Sequence, residues 1–375
     1  EMCIRDRLMA SALVSTLGVA SVAQAVTASY AGSMKIGAEF ESADDSTTDS
    51  NTVMDQSNFN ISLSETTDGG TTISTSFEIV DEGTVDADDD NALKLTFTDG
   101  SALELLNAGN AAGTNAVAVP GASGEQAVGG TSTNNAPGDV DFAAGSTALG
   151  VEWHSAADFL ADGLKMSASW STDNGAAKGA TARLENSWGV GATYVTSAGD
   201  TTLTIGGGYG SGDVVTSGTA STTDKAGANV GVSAVTGDLT VGVGYGETDI
   251  KDGSTTTTDV DTAIGFANYT MGPVTIGYTK GDQSGGVKGS DAHQMEAMGI
   301  AFAVNENLSI SYNNHEVTYA KTAGNVDQAS DKDGIAIAYS MGGASIKIQN
   351  NETDGSSTST TYVEDRTEVN LSLAF

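Results

Sequence analysis

From Ser33 onward, apolar residues recur at every second position in short runs, and tight turns alternate with long polar loops between the runs. Met34, Ile36, Ala38 and Phe40 share one side of an extended segment, while Lys35, Gly37 and Glu39 share the other. The closing stretch Thr367–Phe375 repeats the pattern, with Val369, Leu371, Leu373 and Phe375 opposite Glu368, Asn370 and Ser372. Side chains alternate faces along a strand, so each run predicts a strand with one greasy and one polar side.

The turns have their own chemistry. Asp68-Gly69-Gly70 joins Phe59, Ile61 and Leu63 to Ile73, Phe77 and Ile79, and Asp99-Gly100 joins Leu93, Leu95 and Phe97 to Leu103 and Leu105. Gly199, Gly237, Gly272-Pro273, Asn305-Glu306-Asn307 and Gly342-Gly343 predict five further hairpins. One of them sets Ile264 and Phe266 as the outer apolar pair of their strand. Residues 109–145 break the rhythm: they are rich in Ala, Gly and Asn and carry Pro120 and Pro137. A loop of that length is functional or unstructured.

Short turns on one rim, long loops on the other and about ten residues per strand are the signature of a transmembrane β-barrel. The fold expected is all-β, a closed antiparallel barrel of 16–18 strands, even-numbered because both ends lie on the short-turn rim. A soluble sandwich would place a second packed sheet against one face. Here the second face is almost uniformly Gly, Ser, Thr, Asn or charged, which suits water. Aromatics recur near strand ends (Phe40, Phe77, Trp170, Tyr209, Tyr245, Tyr312, Tyr339), as in an interfacial girdle.

Charge sharpens this picture. The formal net charge is -34, which excludes a nucleic-acid partner, since phosphate binding needs clustered Lys and Arg. The one cysteine, Cys3, falls in residues 1–25, where Arg5 and Arg7, an apolar core from Leu8 to Ala20 and Ala23-Gln24-Ala25 read as a secretory signal peptide. The remainder, 26–375, reads as one barrel domain. No catalytic or phosphate-binding motif is present, His154, His293 and His315 lack metal-type spacing, and no enzyme activity or metal ligand set is expected. No cofactor is expected either. Asp44-Asp45 and Asp86–Asp90 lack the ligand spacing of a calcium loop, so they read as solvated acidic loops holding Ca²⁺ or Mg²⁺ at most loosely.

With leader, hairpin rhythm, long loop and terminal Phe in place, the chain resembles the general porins of Gram-negative bacteria, especially the alphaproteobacterial kind. The segment from His154 to Ala168 looks like that family's turn and strand after the constriction loop, and Asn91 to Leu105 looks like the strands feeding it. The resemblance implies passive diffusion of small hydrophilic solutes through a homotrimer in the cell outer membrane. The expected surroundings are outer-membrane lipid and lipopolysaccharide, with the β-barrel assembly machinery reading Phe375 as an assembly signal.

It also implies that residues 109–145 fold inward as a constriction loop presenting Glu125, Asp139 and Asp141. Parity sets Lys35, Lys94, Lys165 and Lys347 on the water side with Glu39, Glu78, Glu104, Glu152 and Glu368. Acids on an inserted loop facing wall bases would set a field across the pore, and the acid excess predicts cation preference. The alternative reading is a secreted, acidic, Ca-binding β-solenoid or adhesin, although the tandem nonapeptides of such solenoids are missing.

Overall fold

The computed structural model describes residues 26–43, 50–80, 93–105, 110–117, 150–173, 182–216, 219–252, 255–285, 293–319, 328–355 and 363–375. The leader and most of the long loops lie outside these residues. The first part of the chain gives β1 (Thr27–Ala43), β2 (Ser50–Thr66), β3 (Thr72–Val80), β4 (Leu93–Thr96), β5 (Ala102–Leu105) and one helical turn, α1 (Ala111–Thr114). Then come β6 (Gly150–His154), β7 (Leu164–Asp173), β8 (Ala182–Ala198), β9 (Thr201–Thr216), β10 (Thr219–Thr236) and β11 (Leu239–Asp252). The last third supplies β12 (Thr255–Met271), β13 (Val274–Gly285), β14 (His293–Ala303), β15 (Leu308–Tyr319), β16 (Gln328–Met341), β17 (Ala344–Asp354) and β18 (Val363–Ala374).

Every strand pairs antiparallel with its sequence neighbours, and β1 pairs with β18 as well as β2, so the described strands form one closed sheet of eighteen. The seam runs from Ser33 opposite Ala374 to Ala43 opposite Glu364. Just below it, Gly32 N–H donates to the Phe375 carbonyl at 2.7 Å and Phe375 N–H donates to the Gly32 carbonyl at 2.9 Å. Closure removes the free edge strands of an open sheet, as a sheet in hydrocarbon requires because nothing there can satisfy free backbone groups. A solenoid is thereby ruled out.

The tight turns follow from backbone geometry. Gly199, Gly237, Gly272 and Gly342 each open a two-residue hairpin with φ between 56 and 63. A side chain is disfavoured there, and a left-handed first residue matches the twist of the flanking strands. At the Asn305 turn, the Asn305 side-chain oxygen accepts from the backbone N–H groups of Asn307 and Leu308 at 2.9 and 3.0 Å.

The apolar rows point away from the barrel axis and stay open: Ile36 is 43% exposed, Val243 62% and Ile300 43%. In water such a band would be an aggregation surface far larger than soluble monomers carry. In a bilayer it is solvated by acyl chains. At the long-loop side of the band, the Tyr245 and Tyr312 hydroxyls donate to the carboxylates of Asp261 and Asp333, an apolar body with a polar tip at an interface.

One strand departs from the predicted parity. Ile264 and Phe266 face inward and are 4% and 5% exposed. Register decides it: Ile264 sits opposite Gly244, and Phe266 opposite Gly242, on the side away from the outward Val241 and Val243. The outer row of β12 is instead Gly265, Ala267, Tyr269 and Met271. Ile264 joins Met295, Val317 and Tyr319 in a small apolar cluster on the inner wall.

Candidate functional site

The inner wall is polar, and a short piece of chain lies against it. Segment 110–117 enters the lumen and packs on β7, β8, β9 and β10. Asn110 begins it as a helix cap, its side chain accepting from Ala112 N–H at 2.9 Å. Ala111 and Ala112 are fully buried.

Glycines make this close approach feasible. A Cβ on Gly191 would fall 2.3 Å from the Ala111 carbonyl oxygen, and one on Gly206 2.4 Å from that of Asn115. Gly189, Gly208 and Gly231 meet Asn110, Ala112 and Val117 in the same way. Glycine inside a strand marks such contacts, and Gly206 and Gly208 form a packing floor, while Gly207 between them packs against the Asn229 carbonyl of the next strand.

Hydrogen bonds fix the segment in place. Ala111 N–H donates to Ser169 Oγ at 3.0 Å, and Asn229 Nδ2 donates to the Ala112 carbonyl at 3.1 Å. Buried Asn115 donates to Ser167 Oγ and to the Ala111 carbonyl (2.8 Å), and accepts from Thr193 Oγ1 at 3.1 Å. Thr114 Oγ1 donates to Glu152 Oε1 at 2.8 Å.

That last bond connects the segment to a charged row. Lys94, Glu104, Glu152 and Ser169 lie directly opposite one another across β4, β5, β6 and β7. Lys94 Nζ is 2.7 Å from Glu104 Oε1. Two carboxylates opposite each other repel, and the row offsets this with Lys94 on one and Thr114 on the other. His154 stands beside them, Nε2 3.6 Å from Glu104 Oε2 and Nδ1 3.9 Å from Glu152 Oε1.

A second charged group occupies β18 and β1. The Arg366 guanidinium donates to Glu39 Oε2, and its Nε lies 3.1 Å from Glu368 Oε1. Lys35 and Lys347 line a polar recess beside Glu368 and Asn370. Lys332 is buried on the same inner wall. In a ring of eighteen strands β8 and β17 are diametrically opposed, so this basic group faces the docked segment across the lumen.

The wall residues taken from parity are thus distributed unevenly. Lys35, Lys347, Glu39 and Glu368 gather on the β17–β18–β1 side. Lys94, Glu104 and Glu152 form the row near the segment, Lys165 lies on β7 beside it, and Glu78 belongs to β3. Glu125, Asp139 and Asp141 lie outside the described residues. Sequence reading missed Arg366, although it shares parity with Glu368. It also missed His154, read as lacking metal-type spacing, because beside Glu152 of its own strand its second partner, Glu104, comes from a neighbouring strand fifty residues away in sequence.

Known proteins agree with this architecture. The sequence model for Gram-negative porins matches residues 10–310. No curated protein matches the sequence. Among solved structures, OmpT of Vibrio cholerae, an outer-membrane protein, superposes with a TM-score of 0.52 at 11% identity, covering 95% of this chain and 99% of that one. OpdO of Pseudomonas aeruginosa gives 0.61 at 10% identity, covering 93% and 97%. Identities this low show the fold alone, but the family match spans well over half of the 375 residues. A closed barrel, a lipid-ready exterior and a polar lumen belong with that match: the chain is a member of the Gram-negative porin family, a channel-forming barrel of the outer membrane.

Proposed function

We propose that the barrel is a passive diffusion channel for small hydrophilic solutes and ions, with a preference for cations, of the general alphaproteobacterial type. The observation that carries this reading is the segment 110–117 seated inside the lumen opposite the basic group of Arg366, Lys35 and Lys347. On this proposal Glu125, Asp139 and Asp141 of the expected constriction loop 109–145 would narrow the lumen beyond the docked segment 110–117. Acids on one side and bases on the other polarise the gap, a field that favours polar over apolar solutes.

Selectivity would then lie at the constriction. Lysines and arginine on the described wall nearly match its carboxylates, so the net charge of -34 resides mainly in loops and on the outer rim. Salt screens exposed charge within about 10 Å, which leaves the constriction acids as the dominant filter. In planar bilayers under a salt gradient, the reversal potential should show cation preference. Asp139→Asn with Asp141→Asn should move it toward zero, and an unchanged potential would take both residues out of the pore.

Assembly belongs to the same proposal. A signal peptide in 1–25 would deliver the chain to the assembly machinery, and Phe375 would serve as its recognition residue. A homotrimer is the oligomer proposed. One OmpT structure is described as a trimer form, at 12% identity and a TM-score of 0.51. Phe375→Ala should lower the yield of folded, heat-modifiable barrel in outer-membrane fractions, and an equal yield would remove Phe375 from that role.

A further inference from the structure

We infer that Glu104, Glu152 and His154 form a binding site for a divalent transition-metal ion of the zinc class on the lumen wall, at the foot of the docked segment. One donor atom from each of the three lies within 4.8 Å of the other two. Small side-chain rotations bring such a set to the ligand–ligand spacing that metal bonds of about 2.0–2.2 Å demand.

His154 Nε2 points to a ligand independently. The atom is shielded from solvent, within a side chain that is 25% exposed, and it lies at ion-pair rather than hydrogen-bond distance from Glu104 Oε2, 3.6 Å away. A shielded nitrogen short of a hydrogen bond is costly, and a metal ion between it and Glu104 would satisfy both. Glu152 is 1% exposed, a burial that carboxylates rarely accept without a cation or several donors.

The surroundings orient the donors as outer partners do in metal sites. Lys94 holds Glu104 Oε1 and leaves Oε2 turned toward the imidazole, while Thr114 holds Glu152 Oε1. One imidazole and two carboxylates favour zinc, nickel or cobalt over magnesium and calcium, which prefer oxygen alone. The nearby Lys94 ammonium opposes a dication, so affinity in the micromolar rather than nanomolar range is expected. Occupancy would cancel both wall carboxylates and tie β5, β6 and, through Thr114, the docked segment to one ion. Zinc would then reduce cation current through the pore.

The test titrates zinc chloride into the detergent-folded full barrel by calorimetry, with millimolar magnesium present to saturate exposed acidic loops. One zinc per chain is expected, and His154→Ala and Glu104→Gln should each weaken it by about 10–100-fold. Equal affinity in wild type and His154→Ala would overturn the assignment. Zinc-edge X-ray absorption of the wild-type complex needs no variant: outer-shell scattering from one imidazole ring supports the site, and its absence refutes it. Both readouts are independent of conduction, so their failure is distinguishable from failure of the diffusion-channel reading.

Discussion

Arg366→Met should lower the temperature at which the barrel unfolds on heating in SDS, by more than any other single wall substitution. The Arg366 side chain is 13% exposed and sits between Glu39 at 10% and Glu368 at 8%. Removing the cation leaves two nearly buried carboxylates facing each other across the β1–β18 seam, where Glu39 and Glu368 are directly opposed in register. Breaking a buried pair in this way costs about 3–5 kcal/mol, because the surviving charge loses its compensation. The water of the lumen softens this toward the lower figure. The variant Glu39→Gln, Arg366→Met, Glu368→Gln should recover most of the loss, since a matched neutral set leaves nothing unpaired. An Arg366→Met barrel as heat-resistant as the parent would show that the seam does not depend on this trio.

Gly191→Val is the second large effect, and it acts on conduction. Valine suits a strand, so β8 itself tolerates the change. What it opposes is the docked segment, because the new Cβ falls 2.3 Å from the Ala111 carbonyl oxygen and 2.6 Å from Asn115 Nδ2. Overpacking of this kind costs about 1–3 kcal/mol, enough to lift the segment from its floor in a large share of molecules. Single-channel conductance should rise and become noisier. Gly265→Ala, on the lipid side with ordinary contacts at 3.9 Å, serves as the control and should behave as wild type. Wild-type conductance in Gly191→Val would mean that the segment does not limit the pore.

Alternation and turn glycines made the barrel legible in the sequence: a strand with one wet and one greasy face needs no partner to be recognised. The same rule failed on β12, where Ile264 and Phe266 are out of phase with Tyr269 and Met271. Parity within one strand is local, but which parity faces lipid is set by register with the glycines of β11. The residue pattern showed the docked segment only as an interruption, and the expectation of an inward fold there came from the family resemblance. Its partners, Ser167, Ser169, Asn229 and the floor glycines, are small residues whose meaning comes from what rests on them. His154 was illegible for a related reason, as antiparallel pairing brought Glu104 to it, and to Glu152 of its own strand, across a long loop.

The glycine floor also bears on how such a tube could be enlarged. Gly189, Gly191, Gly206, Gly208 and Gly231 contribute no lumen side chains of their own, and the inserted residues fill the space those side chains would take. Excising residues 110–117 would therefore not yield a wider pipe of equal sturdiness. It would strip the lining from the wall most dependent on it, and any engineered bore would have to rebuild that surface with side chains first.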